Sequence, residues 1–330
     1  LILLVRKEEM SLQEKINQRM KLIAVVLIAG FALGGMMSEN AYASGASTKD
    51  ALRTKSTKPT KTTDAIQQKL TRTVKPTSPM NFVDKLAAQV ASTDDLNAKK
   101  ELNAQIQKLA AAQGIYSASI HDLYMAMGRE EVKGLTVPAI NIRGLTYDMA
   151  REIFRRAKAL NAGPFIFEIA RTEIDYTKQR PAEYAAIIMA AAIKEGWKGP
   201  VFIQGDHFQV NAAKYKAAPE KEIQGLKDLT KESIEEGFYN IDIDASTVVD
   251  LSKKELAEQQ YLNGRITAEM TNFIRALQPK GITVSTGGEL GEVGKENTKP
   301  EELDAFMGVY EKFLAEGLSQ RVNGLSKSSV

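Results

Sequence analysis

From residue 137 onward, short apolar runs alternate with longer stretches whose apolar residues recur at helical spacing. The runs begin roughly 25–45 residues apart, which is the spacing of parallel strands joined by crossover helices. Five or six such units in succession favour a (β/α)8 (TIM) barrel over an open doubly wound sheet. We therefore predict an α/β fold with an incomplete TIM barrel that contains about strands one to six. The predicted strands are 137–142, 164–168, 200–204, 238–244 and 281–286, with a sixth starting near Leu325; the predicted helices are 147–160, 181–195, 220–236, 251–277 (with a break near 262–264) and 300–316.

Two absences limit the chemistry that the sequence allows. The chain has no cysteine, which excludes disulfides, thiolate zinc sites and cysteine nucleophiles. The first predicted strand runs into Asn141-Ile142-Arg143-Gly144 and lacks the G-x-G-x-x-G turn of a dinucleotide-binding fold, so no dinucleotide cofactor is expected. A metal ion would have to be held by His, Asp, Glu, carbonyl groups or water.

Composition divides the chain ahead of the barrel into distinct segments. Residues 1–43 contain an apolar run, Leu22 to Met37, and then Ala41-Tyr42-Ala43, a pattern typical of a secretory signal or a membrane anchor. Residues 44–80 carry eight Lys or Arg against two acidic residues and are rich in Thr, Ser and Pro, which predicts a basic disordered linker. Since the net charge of the chain is only +3, the remainder is mildly acidic, and no nucleic-acid partner is expected.

Residues 81–130 are predicted to form a helical extension ahead of the partial barrel, which occupies residues 131–330. Within the extension, the polar run Ser92 to Asp95 is expected to end one helix and to cap the next. A further short helix is predicted from Ser117 to Gly128. It contains His121, one of only two histidines in the chain, which is predicted to be a packed or capping residue.

The other histidine lies among acidic residues at the predicted strand ends. Asp206 and His207 follow the third strand, Asp242 and Asp244 alternate along the fourth, and Glu289 follows the fifth. Carboxylates and imidazoles at the carboxyl ends of parallel strands are how a TIM barrel forms a metal or acid–base site. The alternative at each position is structural, since Asp206 can cap a loop, Asp244 can start a turn, and Glu289 can be solvated.

These residues, in this order, resemble the class II (zinc-dependent) fructose- and tagatose-bisphosphate aldolases. The resemblance covers about residues 137–330, and four motifs at successive strand ends carry it. They are Val137-Pro138-Ala139-Ile140-Asn141, Gly205-Asp206-His207, Ile243-Asp244-Ala245-Ser246 and Glu289-Leu290-Gly291-Glu292-Val293-Gly294.

The resemblance implies a reaction and roles for particular residues. Such enzymes cleave a ketose 1,6-bisphosphate to dihydroxyacetone phosphate and glyceraldehyde 3-phosphate, with Zn²⁺ polarising the ketose carbonyl. It implies that Asp206 is catalytic and moves the proton of the C4 hydroxyl, and that His207 is a zinc ligand. Asp244 and Glu289 would bind the metal in an alternate position, bind a second divalent or monovalent cation, or hold the other metal ligands in place through hydrogen bonds. Asn141 and Ser246 would bind the phosphorylated sugar, and we expect a homodimer or homotetramer.

Some positions depart from the family pattern. Gly287 stands where the family commonly has a second glutamate, and Ala170 stands where a phosphate-binding serine is frequent. The resemblance places two further zinc histidines and a phosphate loop beyond residue 330. We therefore interpret the sequence as a C-terminally truncated member of the family and expect residues 1–330 alone to be inactive.

Two other functions remain open. The chain also resembles the non-catalytic, chaperone-like subunit of tagatose-bisphosphate aldolases, in which case it stabilises a partner aldolase. A Schiff-base aldolase that uses Lys327 is the third hypothesis. The expected localisation is cytoplasmic because phosphosugars are found there, although the signal-like segment argues for export or membrane anchoring.

Overall fold

The computed structural model describes residues 82–291 and 297–327, without the side chains of 320–327. The predicted signal-like segment and linker therefore lie outside the described residues. In the part that is described, no helix is both long and apolar enough to cross a membrane.

The described chain has an α/β fold that is organised around a parallel sheet of six strands. Five strands are neighbours in chain order, β2-β3-β4-β5-β6, and β1 pairs with the first half of β4. Within the described residues the sheet does not close, so the predicted barrel is not observed as such. The strands are β1 (Ile115–Ala118), β2 (Ala139–Asn141), β3 (Ile166–Ala170), β4 (Gly199–Gln209), β5 (Asn240–Asp244) and β6 (Ser285–Gly288).

Eleven helices are described, and each of the five connections between the described strands contains one or two of them. Two of these, α5 and α7, are short helices that the apolar periodicity did not predict. The helices are α1 (Phe82–Ser92), α2 (Leu96–Ala111), α3 (His121–Gly128), α4 (Thr146–Leu160), α5 (Arg171–Thr177), α6 (Pro181–Lys194), α7 (Ala212–Ala217), α8 (Pro219–Glu235), α9 (Leu256–Gln259), α10 (Tyr261–Leu277) and α11 (Pro300–Lys327), with a 3-10 turn at Ser246–Val248.

The apolar core lies between one face of the sheet and the helices. Alternate residues of the central strands, such as Phe167 on β3, Ile203 on β4 and Ile241 on β5, are buried there. Helix α6 is buried along nearly its whole length because it is packed against both α2 and α4. Its all-round apolar, Ala-rich sequence suits a helix covered on several sides. The helices and the apolar core thus hold the strands in place from one side. The polar residues lie on the opposite face of the same strands.

The N-terminal extension is not entirely helical. Asp95 caps α2 as predicted, since its carboxylate accepts hydrogen bonds from the backbone N–H groups of Asn97 and Ala98. After α2 ends, however, the chain turns at Gly114, which has a φ of 72°, and forms β1 beside β4. The prediction of a helix from residue 117 is therefore wrong for its first residues. The long-range pairing with β4 is a tertiary contact that local periodicity does not reveal.

The predicted sixth strand near Leu325 is not observed, because α11 continues to Lys327. The apolar residues Leu314, Leu318, Val322 and Leu325 recur every three or four positions, which is a helical and not a strand period. Lys327, the residue of the Schiff-base hypothesis, is the last residue of this helix, and its side chain is not described.

The break in the predicted helix 251–277 lies at Gln260 and not at 262–264. Gly264 is inside α10, where a Cβ atom would approach Val309 Cγ1 to 2.8 Å. A glycine at this position therefore permits α10 and α11 to pack closely.

Candidate functional site

The Asp206-His207 pair forms a β-bulge inside β4. Gly205 pairs with Ile241 and Phe208 pairs with Ile243. Asp206 and His207 therefore lie together opposite one residue of β5, Asp242. His207 has a φ of 40°, in the left-handed region. The prediction that the strand ends before this pair is wrong, since β4 continues to Gln209.

The bulge explains how neighbouring side chains come to one site. In a regular strand adjacent side chains point to opposite faces, whereas a bulge redirects one of them. Here His207 Nε2 lies 3.8 Å from Asp206 Oδ1. Gly205 makes room for this distortion because a Cβ atom there would overlap the buried ring of Phe208.

The imidazole of His207 contacts two carboxylates from neighbouring strands. Its Nδ1 lies 3.1 Å from Glu289 Oε1 and 3.4 Å from Asp244 Oδ2. Its backbone N–H donates to Asp242 Oδ2 at 3.3 Å. The side chain of His207 is 46% exposed, so one side of the imidazole remains open to solvent. The structure thus brings together the three residues that were predicted as metal ligands.

Asp244 is held rigidly at the end of β5. Its side chain is 1% exposed, and its Oδ1 accepts hydrogen bonds from the N–H and the hydroxyl of Ser246 at 3.0 and 2.6 Å. The side-chain amide of Gln209 donates to the other carboxylate oxygen. Ser246, predicted to bind substrate, therefore lies at the site and orients Asp244.

Glu289 follows two glycines. Gly287 lets β6 approach β5 closely, and Gly288 lets it approach the helices α10 and α11. A Cβ atom at Gly287 would be 2.7 Å from Asp242 Oδ1, and one at Gly288 would be 3.3 Å from Thr267 Cγ2. A side chain at position 287 would therefore require the Asp242 carboxylate to shift. The absence of a side chain at Gly287 lets β6 lie close enough to β5 for Glu289 to reach His207.

Asp206 and Asn141 meet beside the bulge. Burial raises the pKa of Asp206 and the charge of Glu173 raises it further, while His207 and a hydrogen bond from Asn141 act in the opposite direction. The amide of Asn141 also donates to Glu173 Oε2 at 2.7 Å. Asn141, predicted to bind substrate, thus lies next to the predicted catalytic residue.

The carboxylates on this face of the sheet raise each other's pKa values. Burial, followed by the charge of Asp206, raises the pKa of Glu168 to about 7 and that of Asp242 to about 6. Burial and the charge of Asp244 raise the pKa of Glu289 to about 7. The pKa of His207 is also raised: burial acts to lower it, but Asp206 and Glu289 more than offset that effect. The face is thus short of positive charge.

Glu168 and Glu173 are the residues at this face that the predicted site did not include. Glu168 lies on β3, accepts a hydrogen bond from the amide of Gln204 at 2.9 Å, and points to the same side as Asp206. Its position in an otherwise apolar run was a signal that could have identified it. Glu173, on α5, carries no comparable signal in the sequence.

The donor set of His207, Asp244 and Glu289 fits a divalent metal ion. One atom from each side chain lies within 4.8 Å of the others. Metal–ligand distances of about 2.0–2.1 Å in a tetrahedral site correspond to ligand–ligand distances of about 3.3–3.4 Å. The distances from His207 Nδ1 to the two carboxylates, 3.1 and 3.4 Å, are close to that value. Three protein ligands with an open fourth position are typical of catalytic zinc sites.

Comparisons with known proteins identify no family. No family model matches the chain, and no curated protein matches it. Among solved structures, the chain is similar to a probable tagatose 6 phosphate kinase from Sinorhizobium meliloti 1021, with 16% identity and a TM-score of 0.43. The match covers 56% of this chain and 45% of that chain, so this chain spans less than half of it.

Proposed function

We propose that the protein acts as a metal-dependent aldehyde-lyase of the class II aldolase type, which cleaves a ketose 1,6-bisphosphate to dihydroxyacetone phosphate and glyceraldehyde 3-phosphate. The observation that carries the proposal is the bulge in β4, which sets His207 between Asp206 on one side and Asp244 and Glu289 on the other. A base next to a three-donor metal site is the arrangement that this reaction needs.

His207, Asp244 and Glu289 would bind the metal, for which we propose Zn²⁺. When bound, zinc supplies a Lewis acid that polarises a carbonyl group. Ser246 and Gln209 orient the Asp244 carboxylate, which suits the role of a partner that fixes a ligand. A phosphorylated sugar would approach from the exposed side of His207.

Asp206 would exchange a proton with the C4 hydroxyl of the sugar while the C3–C4 bond breaks. Its burial and the charge of Glu173 raise its pKa, which makes it a better proton acceptor than a solvated aspartate. Asn141 would position the substrate and Asp206 together, because its amide donates to Glu173 and also favours the ionised form of Asp206.

The strand order supports the proposal that the sheet is part of a (β/α)8 barrel. From β2 to β6 each strand lies beside the next one in the chain. A doubly wound sheet reverses its strand order at a switch point, and these five strands show no reversal. The polar residues also lie in or just after the carboxyl-terminal parts of successive strands, as in TIM-barrel enzymes.

Cleavage of fructose and tagatose 1,6-bisphosphate by the native protein, with any residues that follow Val330, tests the function. We expect activity that a chelator abolishes and Zn²⁺ restores. Asp206→Asn keeps the shape of the side chain but removes the base, and should lower kcat about 10²–10⁴-fold. Activity that survives chelation, or an Asp206→Asn variant as active as the wild type, would contradict the proposal.

A second candidate is the non-catalytic subunit that stabilises a partner aldolase. The observation that favours it is the presence of a single histidine in the donor set of the described residues. In that case the native protein binds no catalytic zinc and shows no cleavage alone, but it raises the activity of an aldolase purified with it.

A further inference from the structure

Two buried carboxamides lie behind the loop that carries Glu289. They are Gln260, at the start of α10, and Asn263, in its first turn; we call them the amide pair. They are 3% and 0% exposed, respectively. Placing a carboxamide in a buried position costs free energy unless its hydrogen bonds are made. Apolar side chains at these two positions would be buried without this cost. The presence of two carboxamides instead indicates a specific role.

The amide pair holds the backbone of the Glu289 loop. The amide of Asn263 donates to the carbonyl oxygen of Glu289 at 2.7 Å, and that of Gln260 donates to the carbonyl oxygen of Leu290 at 2.6 Å. Asn263 also donates to Gln260 Oε1 at 2.9 Å. That bond fixes the orientation of the Gln260 amide, because its oxygen faces Asn263 and its nitrogen must face Leu290.

The helix that carries the amide pair is itself firmly placed. Gly264, the next residue, lets α10 pack against α11 with little clearance. Residue 288 is also confined, because a Cβ atom there would be 3.2 Å from the ring of Phe306 and 3.3 Å from Thr267. Residues 288–290 therefore have few ways to shift while the amide pair holds the carbonyl groups of Glu289 and Leu290.

We propose that Gln260 and Asn263 are positioning residues that set the Glu289 carboxylate at the distance from His207 that metal binding requires. This inference rests on the proposed metal site. It states that two residues at the start of α10 hold one of the metal ligands, Glu289, in position. Residues that orient a metal ligand change metal affinity about 10–100-fold when they are replaced. Because Asn263 orients Gln260, the effect of replacing Asn263 should be the larger of the two.

The test is a titration of the chain with Co²⁺, followed by its visible absorption, in a double-mutant cycle. We expect Asn263→Leu to weaken Co²⁺ binding about 10–100-fold, to nearly the level of Glu289→Gln. The double variant should bind as weakly as Glu289→Gln alone, because both changes remove the same ligand. Gln260→Met serves as the second variant in case Asn263→Leu does not fold, and should show a smaller loss.

Thr267→Val is the matched control. Thr267 is buried on the same helix beside Gly288, and its hydroxyl has no hydrogen-bond partner among the described residues. We expect its Co²⁺ affinity to equal that of the wild type. Strong wild-type binding that neither amide-pair variant weakens, or additive losses in the double variant, would overturn the inference alone. A wild-type chain that binds no Co²⁺ would overturn both the proposed function and this inference.

Discussion

The two faces of the sheet differ in what their residues contribute. On the face toward the helices, Ile241 and Ile243 of β5 are buried in the apolar core. On the other face, Asp242 and Asp244 of the same strand lie among carboxylates and one histidine. Alternation along one strand thus separates a face that stabilises the fold from a face that lowers its stability.

The apolar face contributes to the free energy of unfolding, whereas the acidic face lowers it. Burying apolar area contributes about 25 cal/mol per Å², whereas grouping partly buried carboxylates without a counter-ion is unfavourable. The raised pKa values of Glu168, Asp242 and Glu289 are the sign of that cost. A bound cation would offset it, which is why we connect the acidic face with function.

The largest expected effect is on the apolar face. Phe154 of α4 is buried, and its ring centroid lies 5.0 Å from that of Phe167 and 5.2 Å from that of Trp197. Phe154→Ala should lower the free energy of unfolding by about 3–5 kcal/mol, because the cavity that it leaves cannot fully collapse. Urea unfolding measures this loss.

Phe154→Leu is the control for the same position and should lose clearly less, since it keeps most of the apolar volume. Neither variant should alter metal affinity if the two faces are independent. A change in the affinity of folded Phe154→Leu protein for Co²⁺ would show that the faces are coupled.

The second expected effect is a gain in stability on the acidic face. Burial and the charge of Asp206 raise the pKa of Asp242 from 3.8 to about 6. The folded protein therefore binds this proton more tightly than the unfolded chain, and the cost of ionising Asp242 grows as the pH rises from about 4 to 6. Asp242→Asn should raise the free energy of unfolding at pH 7.5 by about 1–3 kcal/mol, and the gain should vanish below pH 4.

Asp148→Asn removes the same charge from a side chain that is 76% exposed. It should change the free energy of unfolding by less than about 0.5 kcal/mol at either pH. Urea unfolding of both variants and the wild type, without metal, across pH 4–8 makes the comparison. A loss of stability in Asp242→Asn at pH 7.5 would mean that Asp242 stabilises the fold and that the acidic face carries no such cost.

Local patterns in the sequence predicted most of the sheet but not its irregularities. The apolar runs located β2 to β6 to within a few residues, because a buried parallel strand needs a continuous apolar run. Strand β1 was missed because its four residues are stabilised by pairing with β4, which lies far away in the chain. The strand expected at Leu325 does not form, because the apolar residues before it recur at helical spacing and α11 continues to Lys327.

The candidate site was predictable in its residues but not in its geometry. The acidic residues and the histidine stand out in the sequence because charged side chains rarely follow buried strands without a reason. The bulge that brings Asp206 and His207 to one side depends on the register between β4 and β5, which no local pattern encodes. The amide pair was invisible for a similar reason, since its hydrogen bonds reach across 26 to 30 residues.

The most direct test of the account is Co²⁺ binding to the chain and to variants of its two histidines. We predict that the wild type binds Co²⁺ with the visible absorption of a low-coordinate site, and that His121→Ala binds equally well, because His121 is not among the donors. His207→Ala should lose that absorption. Absence of binding in the wild type, or equal binding by His207→Ala, would contradict the claim that the acidic face is a metal site centred on His207.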